Sequence, residues 1–289
     1  MSQRILTEVV RGQAAIDGAG VHLQRVLGLR TTKSFDPFLM LDGFDSKNPN
    51  DYIKGFPWHP HRGIETITYL LKGKMEHGDS LKNKGLITDG SCQWMTAGSG
   101  IIHQEMPLES EHMLGAQLWL NIPQKHKMDP PKYADIQAQS IPKIQEEQAT
   151  IAILSGTYKG QKGATNGSYF DVQYLDIELQ ADSEWHYNET PNQDTLFLYL
   201  IQGDLALDSD FKNFESKACA LLTKAQSSPS EPNDTLSVKA GPNGARFFLL
   251  SAKPLHEPIA WGGPVVMNTK EELDLAFAEI QNNTFIKHP

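Results

Sequence analysis

Cysteine is scarce in this chain: Cys92 and Cys219 are the only two among 289 residues. Two thiols so far apart are typical of a reducing compartment rather than of a secreted scaffold stabilised by disulfides. Long apolar runs are also missing, because no stretch approaches the roughly 20 apolar residues of a membrane-spanning helix. The N-terminus has no apolar signal core either. We therefore expect a cytoplasmic protein.

Positive charge is in deficit, since 26 Lys and Arg residues face 35 Asp and Glu residues and the net charge is −9. An acidic chain repels phosphate backbones and anionic lipids unless a local basic patch compensates, and the sequence shows none. Direct binding to nucleic acid or to a membrane is therefore not expected. Hydrophobic residues make up 39% of the chain, which is enough for a buried core and argues against global disorder.

Helical periodicity is rare, and turn residues recur roughly every eight to twelve residues between short runs rich in β-branched and aromatic side chains. Residues 64–71, between Gly63 and Gly73, are one such run, and residues 75–80 are predicted to return from it as the second strand of a hairpin. This pattern predicts an all-β sandwich or barrel, whose mouth is a usual place for a small-ligand site. One short helix is predicted near the C-terminus, where apolar residues recur at helical spacing: Leu273, Ala276, Phe277 and Ile280.

A second β pattern follows residues 123–132, a segment that is basic, contains proline and is poor in apolar residues. Such a composition is typical of an interdomain linker. We predict two domains, at 1–132 and 133–289, with the C-terminal helix in the second. A strand followed by glycine and a returning strand occurs at 70–73 and again at 200–203, which suggests a duplicated barrel.

Two pairs of alternating residues carry the chemistry: His59 and His61 in FPWHPHRG, and His103 and Glu105 in IIHQEMP. Alternate side chains of an extended strand point to one face, so the members of each pair project together. If the two segments lie side by side, three imidazoles and one carboxylate converge. This donor set suits a divalent first-row metal such as Fe, Mn, Co, Ni, Cu or Zn.

Glu65 competes with Glu105 for the carboxylate position, because it lies four residues after His61 and therefore on the same strand face. The carboxylate that does not bind the metal is available to orient a histidine or to act as a general base. Other histidines are interpreted as loop, surface or packing residues: His77, His112, His126 and His256. Of these, His77 beside Asp79 could lie near the barrel mouth.

Several motifs together resemble the pirin family of the cupin superfamily: FDPF at 35–38, HPHRGIET at 59–66, QWMTAG at 93–98, HQEMP at 103–107 and LWLNIP at 118–123. The resemblance continues through residues 254–259 and 267–269 and so covers almost the whole chain. It implies two cupin barrels, of which only the N-terminal one holds a metal, usually iron. It also implies that the metal ligands are His59, His61, His103 and Glu105.

The second barrel lacks a comparable set of residues. His186 has Asn188 as its alternate neighbour, and no His-x-Glu pair follows it. In agreement with the family pattern, we expect this barrel to be metal-free.

The resemblance also implies a function, because bacterial pirins resemble quercetin 2,3-dioxygenases. A flavonol and O2 would then be the substrates, with Glu105 or Glu65 taking the proton of the flavonol's 3-hydroxyl. Four aromatic or apolar side chains are expected to form the walls of the cavity: Phe56, Trp58, Met95 and Trp119. Packing in the core would explain each of these residues equally well.

Two other functions remain open at this point. Animal pirins act as iron-dependent nuclear cofactors, so the metal's oxidation state could instead alter a surface that binds a protein partner. A metal-dependent isomerase or decarboxylase on the same barrel is a third hypothesis, because function depends on the site and not on the fold.

Overall fold

A computed structural model of the chain describes residues 2–191, 194–207, 219–225 and 233–288. From the N-terminus, its first strands are β1 (Ser2–Arg11), β2 (Gln13–Asp17), β3 (Val21–Leu27), β4 (Phe38–Ser46), β5 (Phe56–His61), β6 (Ile64–Lys72), β7 (Lys74–Asp79), β8 (Lys84–Ile87), β9 (Cys92–Thr96), β10 (Ile101–Leu108), β11 (Met113–Asn121) and β12 (Lys132–Ile136). The expectation of an all-β fold is confirmed.

The remaining strands are β13 (Lys143–Gln145), β14 (Ala149–Ser155), β15 (Thr157–Tyr158), β16 (Gln161–Lys162), β17 (Val172–Leu179), β18 (Glu184–Pro191), β19 (Thr195–Leu207), β20 (Cys219–Ala225), β21 (Asn233–Ala252), β22 (Ala260–Gly262) and β23 (Val265–Met267). Short 3-10 helices occur at Pro49–Asp51, Gln124–His126 and Ala138–Ser140. The side chain of Cys219 lies outside the described part of the chain, whereas Cys92 is a buried free thiol.

The predicted C-terminal helix is present as α1 (Lys270–Gln281). It begins with a capping box, in which the Thr269 hydroxyl accepts from the Glu272 backbone N–H and the Glu272 carboxylate accepts from the Thr269 backbone N–H. Across the described residues, no helix has the length and hydrophobicity that a membrane span requires.

The chain folds into two compact units. The site unit comprises Ala14–Ala138 with Leu255–Pro289, and the second unit comprises Met1–Gln13 with Gln139–Pro254. This division differs from the predicted boundary at residue 132 in two respects. Strand β1 pairs with β20 and β21 of the second unit, and the C-terminal helix belongs to the site unit.

The site unit contains two sheets that enclose a common apolar core. The larger sheet has the strand order β12-β9-β6-β11-β4-β3-β2, and the smaller has the order β5-β10-β7-β8. Leu70 of the larger sheet packs in one cluster with Met75 and Ile87 of the smaller sheet. The hairpin predicted between residues 64–71 and 75–80 is therefore wrong, because β6 pairs with β9 and β11 while β7 pairs with β8 and β10.

The second unit is built on one eight-stranded sheet, in the order β1-β20-β19-β21-β17-β14-β13 with β18 paired to β21. Its core consists of buried apolar side chains that include Ile177, Leu198 and Phe247. A short ribbon of β15 and β16 completes the unit.

The linker predicted at 123–132 is wrong. Its Lys127 side chain is buried, and strand β12, which begins at Lys132, pairs with β9 in the larger sheet of the site unit. The segment is therefore part of a folded domain, although its composition resembles that of a connection.

A candidate metal centre and its cavity

Strands β5 and β10 lie side by side in the smaller sheet and run antiparallel. His103 is the register partner of His59, and His61 is two residues further along β5, opposite Ile101. The pleat therefore directs the three imidazoles toward one point. Each histidine contributes one ring nitrogen to a group of three atoms that lie within 4.8 Å of one another.

The hydrogen bonds of two of these rings determine which nitrogen carries the proton. His59 Nδ1 lies 2.8 Å from the Pro57 carbonyl oxygen, and His61 Nδ1 lies 3.1 Å from the Pro264 carbonyl oxygen. A carbonyl only accepts, so each Nδ1 donates its proton, and the neutral form of each ring presents a lone pair on Nε2. The two Nε2 atoms are only 3.0 Å apart. Two lone pairs at this distance repel each other unless a cation lies between them.

The third ring, His103, is completely buried, and neither of its nitrogens has a hydrogen-bond partner among the described residues. An unpaired buried imidazole is unfavourable unless something else occupies its lone pair. Burial lowers the pKa of His61 to about 3 and places that of His103 well below its ordinary value, with nearby histidine charge acting in the same direction. Both rings are therefore neutral, which is the form that binds metals. The residues present fit a divalent metal.

Glu105 lies two residues beyond His103 on β10 and is equally buried, but its carboxylate is not part of the group of mutually close donors. Two side chains of the larger sheet hold it: the Thr68 hydroxyl donates to Oε1 at 2.8 Å, and Gln117 Nε2 donates to Oε2 at 2.7 Å. Gln117 in turn accepts from Trp119 Nε1 at 3.3 Å. The role of Glu105 as a fourth ligand remains a prediction.

Glu65 is buried on β6, where its Oε1 accepts a hydrogen bond from the Thr96 hydroxyl at 2.6 Å. The inference that it shares a strand face with His61 is wrong, because β5 ends at His61 and β6 belongs to the other sheet. Gly63 makes this turn with a φ of 77°, and a Cβ there would lie 1.9 Å from the Val266 carbonyl oxygen. A catalytic or orienting role for Glu65 remains a prediction.

The interpretation of His77 as a loop or surface residue is wrong. His77 is 4% exposed, and its ring stacks on Tyr133 at 4.7 Å and lies 5.3 Å from the ring of His103, measured between centroids. His77 is also the register partner of Glu105 between β7 and β10. The pairing of β7 with β10 places it there, and no local pattern in the sequence indicates that pairing.

The other histidines have ordinary environments. His112 and His126 are half-buried and lie 2.7 and 2.8 Å from the carboxylates of Asp45 and Asp129. His186 of the second unit is exposed, with Nδ1 2.9 Å from the Ser237 hydroxyl. The metal-free state of the second barrel stays a prediction.

A cavity of ≈ 550 Å³ opens beside the histidines, within the size range of small-molecule sites. His59 and His61 line it together with the apolar side chains of Met40, Phe56, Trp119 and Trp261. Two of the four predicted walls are therefore present. The other two are not among the lining residues: Met95 is buried in the core of the unit, and Trp58 is 55% exposed.

Sequence reasoning missed the charged part of this cavity, which consists of Asp17, Arg25 and Asp42. Arg25 pairs in a bidentate manner with Asp42, through Nε at 2.9 Å and Nη2 at 2.7 Å, and its Nη2 also donates to Asp17 at 2.7 Å. Trp261 was missed as well. These residues come from separated strands, so only the folded chain brings them together.

A buried arginine holds the segment beside His61. Arg62 Nε donates to the Ser99 carbonyl at 2.6 Å, and Nη2 donates to the Phe285 carbonyl at 2.9 Å and forms an ion pair with Glu279 at 2.7 Å. The guanidinium also lies 4.3 Å from the centroid of the Phe285 ring. The C-terminal part of the site unit thus fixes the backbone next to a candidate ligand.

Comparison with known proteins gives matches over nearly the whole chain. A family profile described as Pirin matches residues 20–120, and one described as Pirin C-terminal cupin domain matches residues 174–286. A pirin-like protein of Caulobacter vibrioides is 38% identical over 288 residues, which are 99% of this chain and 100% of that protein. Pirin of Homo sapiens is 36% identical over 284 residues, with coverages of 97% and 93%.

Among solved structures, the crystal structure of a quercetin 2,3-dioxygenase from Acinetobacter baumannii is similar, with a TM-score of 0.85 and 29% sequence identity. The match covers 98% of this chain and 99% of that one. Together with the two profile matches, it confirms the predicted fold of two cupin barrels.

Proposed function

Because this chain belongs to the pirin family, we propose that it is a metal-dependent dioxygenase that opens the heterocyclic ring of a flavonol such as quercetin. The observation that carries the proposal is the convergence of three histidines, with unused lone pairs, beside a cavity walled by aromatic side chains. The similar protein from A. baumannii bears this activity in its name.

Four residues of the site unit would hold the metal. His59, His61 and His103 supply three nitrogens, and Glu105 is proposed as the fourth ligand. A divalent ion bound there supplies Lewis acidity and a path for electrons between an organic substrate and O2. Iron is the proposed metal, and the same donors also suit Mn, Co, Ni, Cu and Zn.

The protein's own contribution is to position the substrate and to take its proton. Trp119 packs edge-on against His61, with 4.9 Å between ring centroids, and together with Phe56 it presents flat apolar surface to a planar aromatic substrate. Glu105 uses two of its roughly four lone-pair positions on Thr68 and Gln117, so it retains capacity to accept the 3-hydroxyl proton. Both atoms of O2 enter the product, and one ring carbon leaves as carbon monoxide.

The alternative, an iron-dependent protein that binds a regulatory or metabolic partner, would use the same histidines. It does not account for the cavity beside them, whereas a small-molecule substrate does. The enzymatic function is therefore the one that the geometry supports best.

The test is the oxygen-dependent loss of quercetin absorbance with protein loaded separately with Fe, Mn, Co, Ni or Cu. We expect turnover with at least one metal and its abolition in His61→Ala. The matched control is His112→Ala, which removes a histidine of the same unit that pairs with Asp45 away from the cavity. Absence of turnover with all of these metals would overturn the proposal.

A further inference from the structure

The cavity beside the histidines is not uniformly apolar, since an ionic group formed by Asp17, Arg25 and Asp42 also lines it. The Asp42 side chain is 3% exposed, and both of its oxygens are occupied by Arg25. The Asp17 side chain is 50% exposed and shares the same guanidinium. Asp42 therefore anchors Arg25, whereas Asp17 is the more exposed of the two carboxylates and the one that a ligand can reach.

Asp17 retains hydrogen-bonding capacity in this arrangement. Its Oδ1 accepts from the Gly18 backbone N–H at 2.7 Å and its Oδ2 from Arg25 at 2.7 Å, which leaves about two of roughly four lone-pair positions. Burial alone would raise the pKa of Asp17, but the hydrogen bonds from Arg25 and Gly18 outweigh it and lower the pKa. The carboxylate is thus ionised at neutral pH and is a strong acceptor.

The backbone fixes the position of this acceptor. Gly18 has a φ of 57°, and a Cβ there would lie 2.6 Å from the Gly55 carbonyl oxygen, so only glycine fits. The next residue, Ala19, donates its N–H to the same carbonyl at 2.9 Å. Asp17 is therefore held in place before any ligand binds, which reduces the entropy lost on binding.

The charge of the group indicates the chemistry of its ligand. One guanidinium between two carboxylates leaves an excess negative charge, which disfavours anions and favours hydroxyl donors. Asp17 and His59 line the same cavity. In a flavonol, the B ring is attached to the carbon next to the one that carries the 3-hydroxyl. If the 3-hydroxyl of such a substrate faces the histidines, its B ring also lies close to them, in the cavity that Asp17 lines.

We propose that Asp17 determines substrate specificity by accepting hydrogen bonds from phenolic hydroxyl groups on the B ring. This inference rests on the proposed function, because it takes a flavonol as the occupant of the cavity. It assigns to the ionic group of the cavity a preference for hydroxylated, uncharged B rings.

Binding rather than turnover tests the inference. Metal-loaded protein without oxygen is titrated with quercetin, whose B ring has two adjacent hydroxyls, and with flavonols that have one or none. Quenching of tryptophan fluorescence reports occupancy, because Trp119 and Trp261 line the cavity. We expect quercetin to bind about tenfold more tightly than the flavonol without B-ring hydroxyls, since a hydrogen bond to a charged acceptor contributes an effect of this order.

The decisive variant is Asp17→Asn, which keeps the shape of the side chain and removes its charge. We expect the preference to fall to about twofold or less. Asp89→Asn is a closely matched control, because Asp89 also accepts from a glycine N–H and a basic side chain, Gly73 and Lys72, but does not line this cavity. Thermal unfolding of each variant shows whether the fold is retained.

The outcomes separate the two proposals. If flavonols bind but B-ring hydroxyls make no difference, or if Asp17→Asn keeps the full preference, the role of Asp17 is refuted and the proposed function stands. If no flavonol binds to any metal-loaded form, both fail. A preference that is lost in Asp17→Asn and kept in Asp89→Asn supports the role.

Discussion

Single side chains determine how firmly the candidate ligands are held. Gln117 contacts three of the relevant residues: its Nε2 donates to Glu105 at 2.7 Å and to Thr68 at 3.1 Å, and its Oε1 accepts from Trp119. A residue that orients a ligand in this way affects metal affinity without touching the metal. Gln117 thus links Thr68 and Trp119 of the larger sheet to the Glu105 carboxylate of the smaller one.

We predict that Gln117→Leu weakens metal binding by about 10–100-fold while the protein still folds. The change leaves the buried Glu105 carboxylate with one hydrogen bond fewer and free to reorient. Chelator competition measures the affinity. Gln93→Leu is the control, because Gln93 is a buried glutamine of the same sheet that contacts Tyr133 instead. Equal affinities of the two variants would show that Gln117 does not orient a ligand.

The buried histidines predict how stability depends on pH in the metal-free protein. Burial, together with the charge of nearby histidines, lowers the pKa of His61 to about 3 and keeps that of His103 far below its ordinary value, whereas both titrate near pH 6.5 in an unfolded chain. Between about pH 6.5 and pH 3, the unfolded state therefore binds protons that the folded state does not. The free energy of unfolding then falls as the pH falls, by about 1.4 kcal/mol per pH unit for each histidine.

Urea unfolding with chelator present at pH 7, 6 and 5 measures this dependence. In His61→Leu one titrating group is absent, so we expect the slope between pH 6 and 5 to decrease by about 1 kcal/mol per unit. His112→Leu, which removes a half-buried histidine that contacts Asp45 instead of the other candidate ligands, is the matched histidine-to-leucine variant. Parallel curves for wild type and His61→Leu would contradict the neutral, buried state of His61.

At the residue scale, the sequence predicts the side chains that alternate within one strand and misses those contributed by other strands. His59, His61 and His103 are recognisable because residue type and spacing coincide. Thr68 and Gln117 lie at buried positions of apolar strands and resemble ordinary polar residues of a protein core. Their function depends on the opposite sheet, whose position no local pattern specifies.

At the scale of elements, β-strands are readily predicted from alternation and turn residues, but their partners are not. The wrong β6–β7 hairpin shows this, since both strands exist and each pairs elsewhere. The segment 123–132 shows the same limit for loops. Lys127 within it is 1% exposed, and its Nζ donates at 2.6–2.8 Å to Asn121 Oδ1, six residues earlier, and to two distant carbonyl oxygens, those of Gly63 and Val266.

We predict that Lys127→Met destabilises the protein by about 3 kcal/mol or more, because three buried acceptors each lose a partner at about 1–3 kcal/mol. For a unit of this size the melting temperature should fall by roughly 6–12 °C, which calorimetry measures. Lys125→Met, at an exposed position of the adjacent 3-10 helix, should change it little. If the two variants melted together, the buried ammonium would not be holding this segment.

At the scale of the whole molecule, chain order and unit membership do not coincide. The site unit needs residues from the C-terminal end of the chain: the Pro264 carbonyl accepts from His61, and the Val266 N–H donates to the Arg62 carbonyl at 3.1 Å. Composition marks a change near residue 132 but carries no information about this return. Both barrels were therefore predictable from the sequence, whereas the assignment of the two chain ends to the units was not.

The last prediction concerns which fragment retains the metal centre. A fragment cut at the composition boundary, 1–132, lacks Pro264 and Val266, so His61 loses the carbonyl that orients it and Arg62 loses its backbone partner. We expect this fragment to bind metal at least tenfold more weakly than the full chain, or to remain unfolded. Joining 14–138 to 255–289 through a flexible glycine–serine linker restores both contacts, and we expect the joined fragment to fold and to bind one metal ion with nearly full affinity. Metal analysis and chelator competition on both fragments decide the matter, because full-strength binding by 1–132 would show that the C-terminal segment does not orient the histidines.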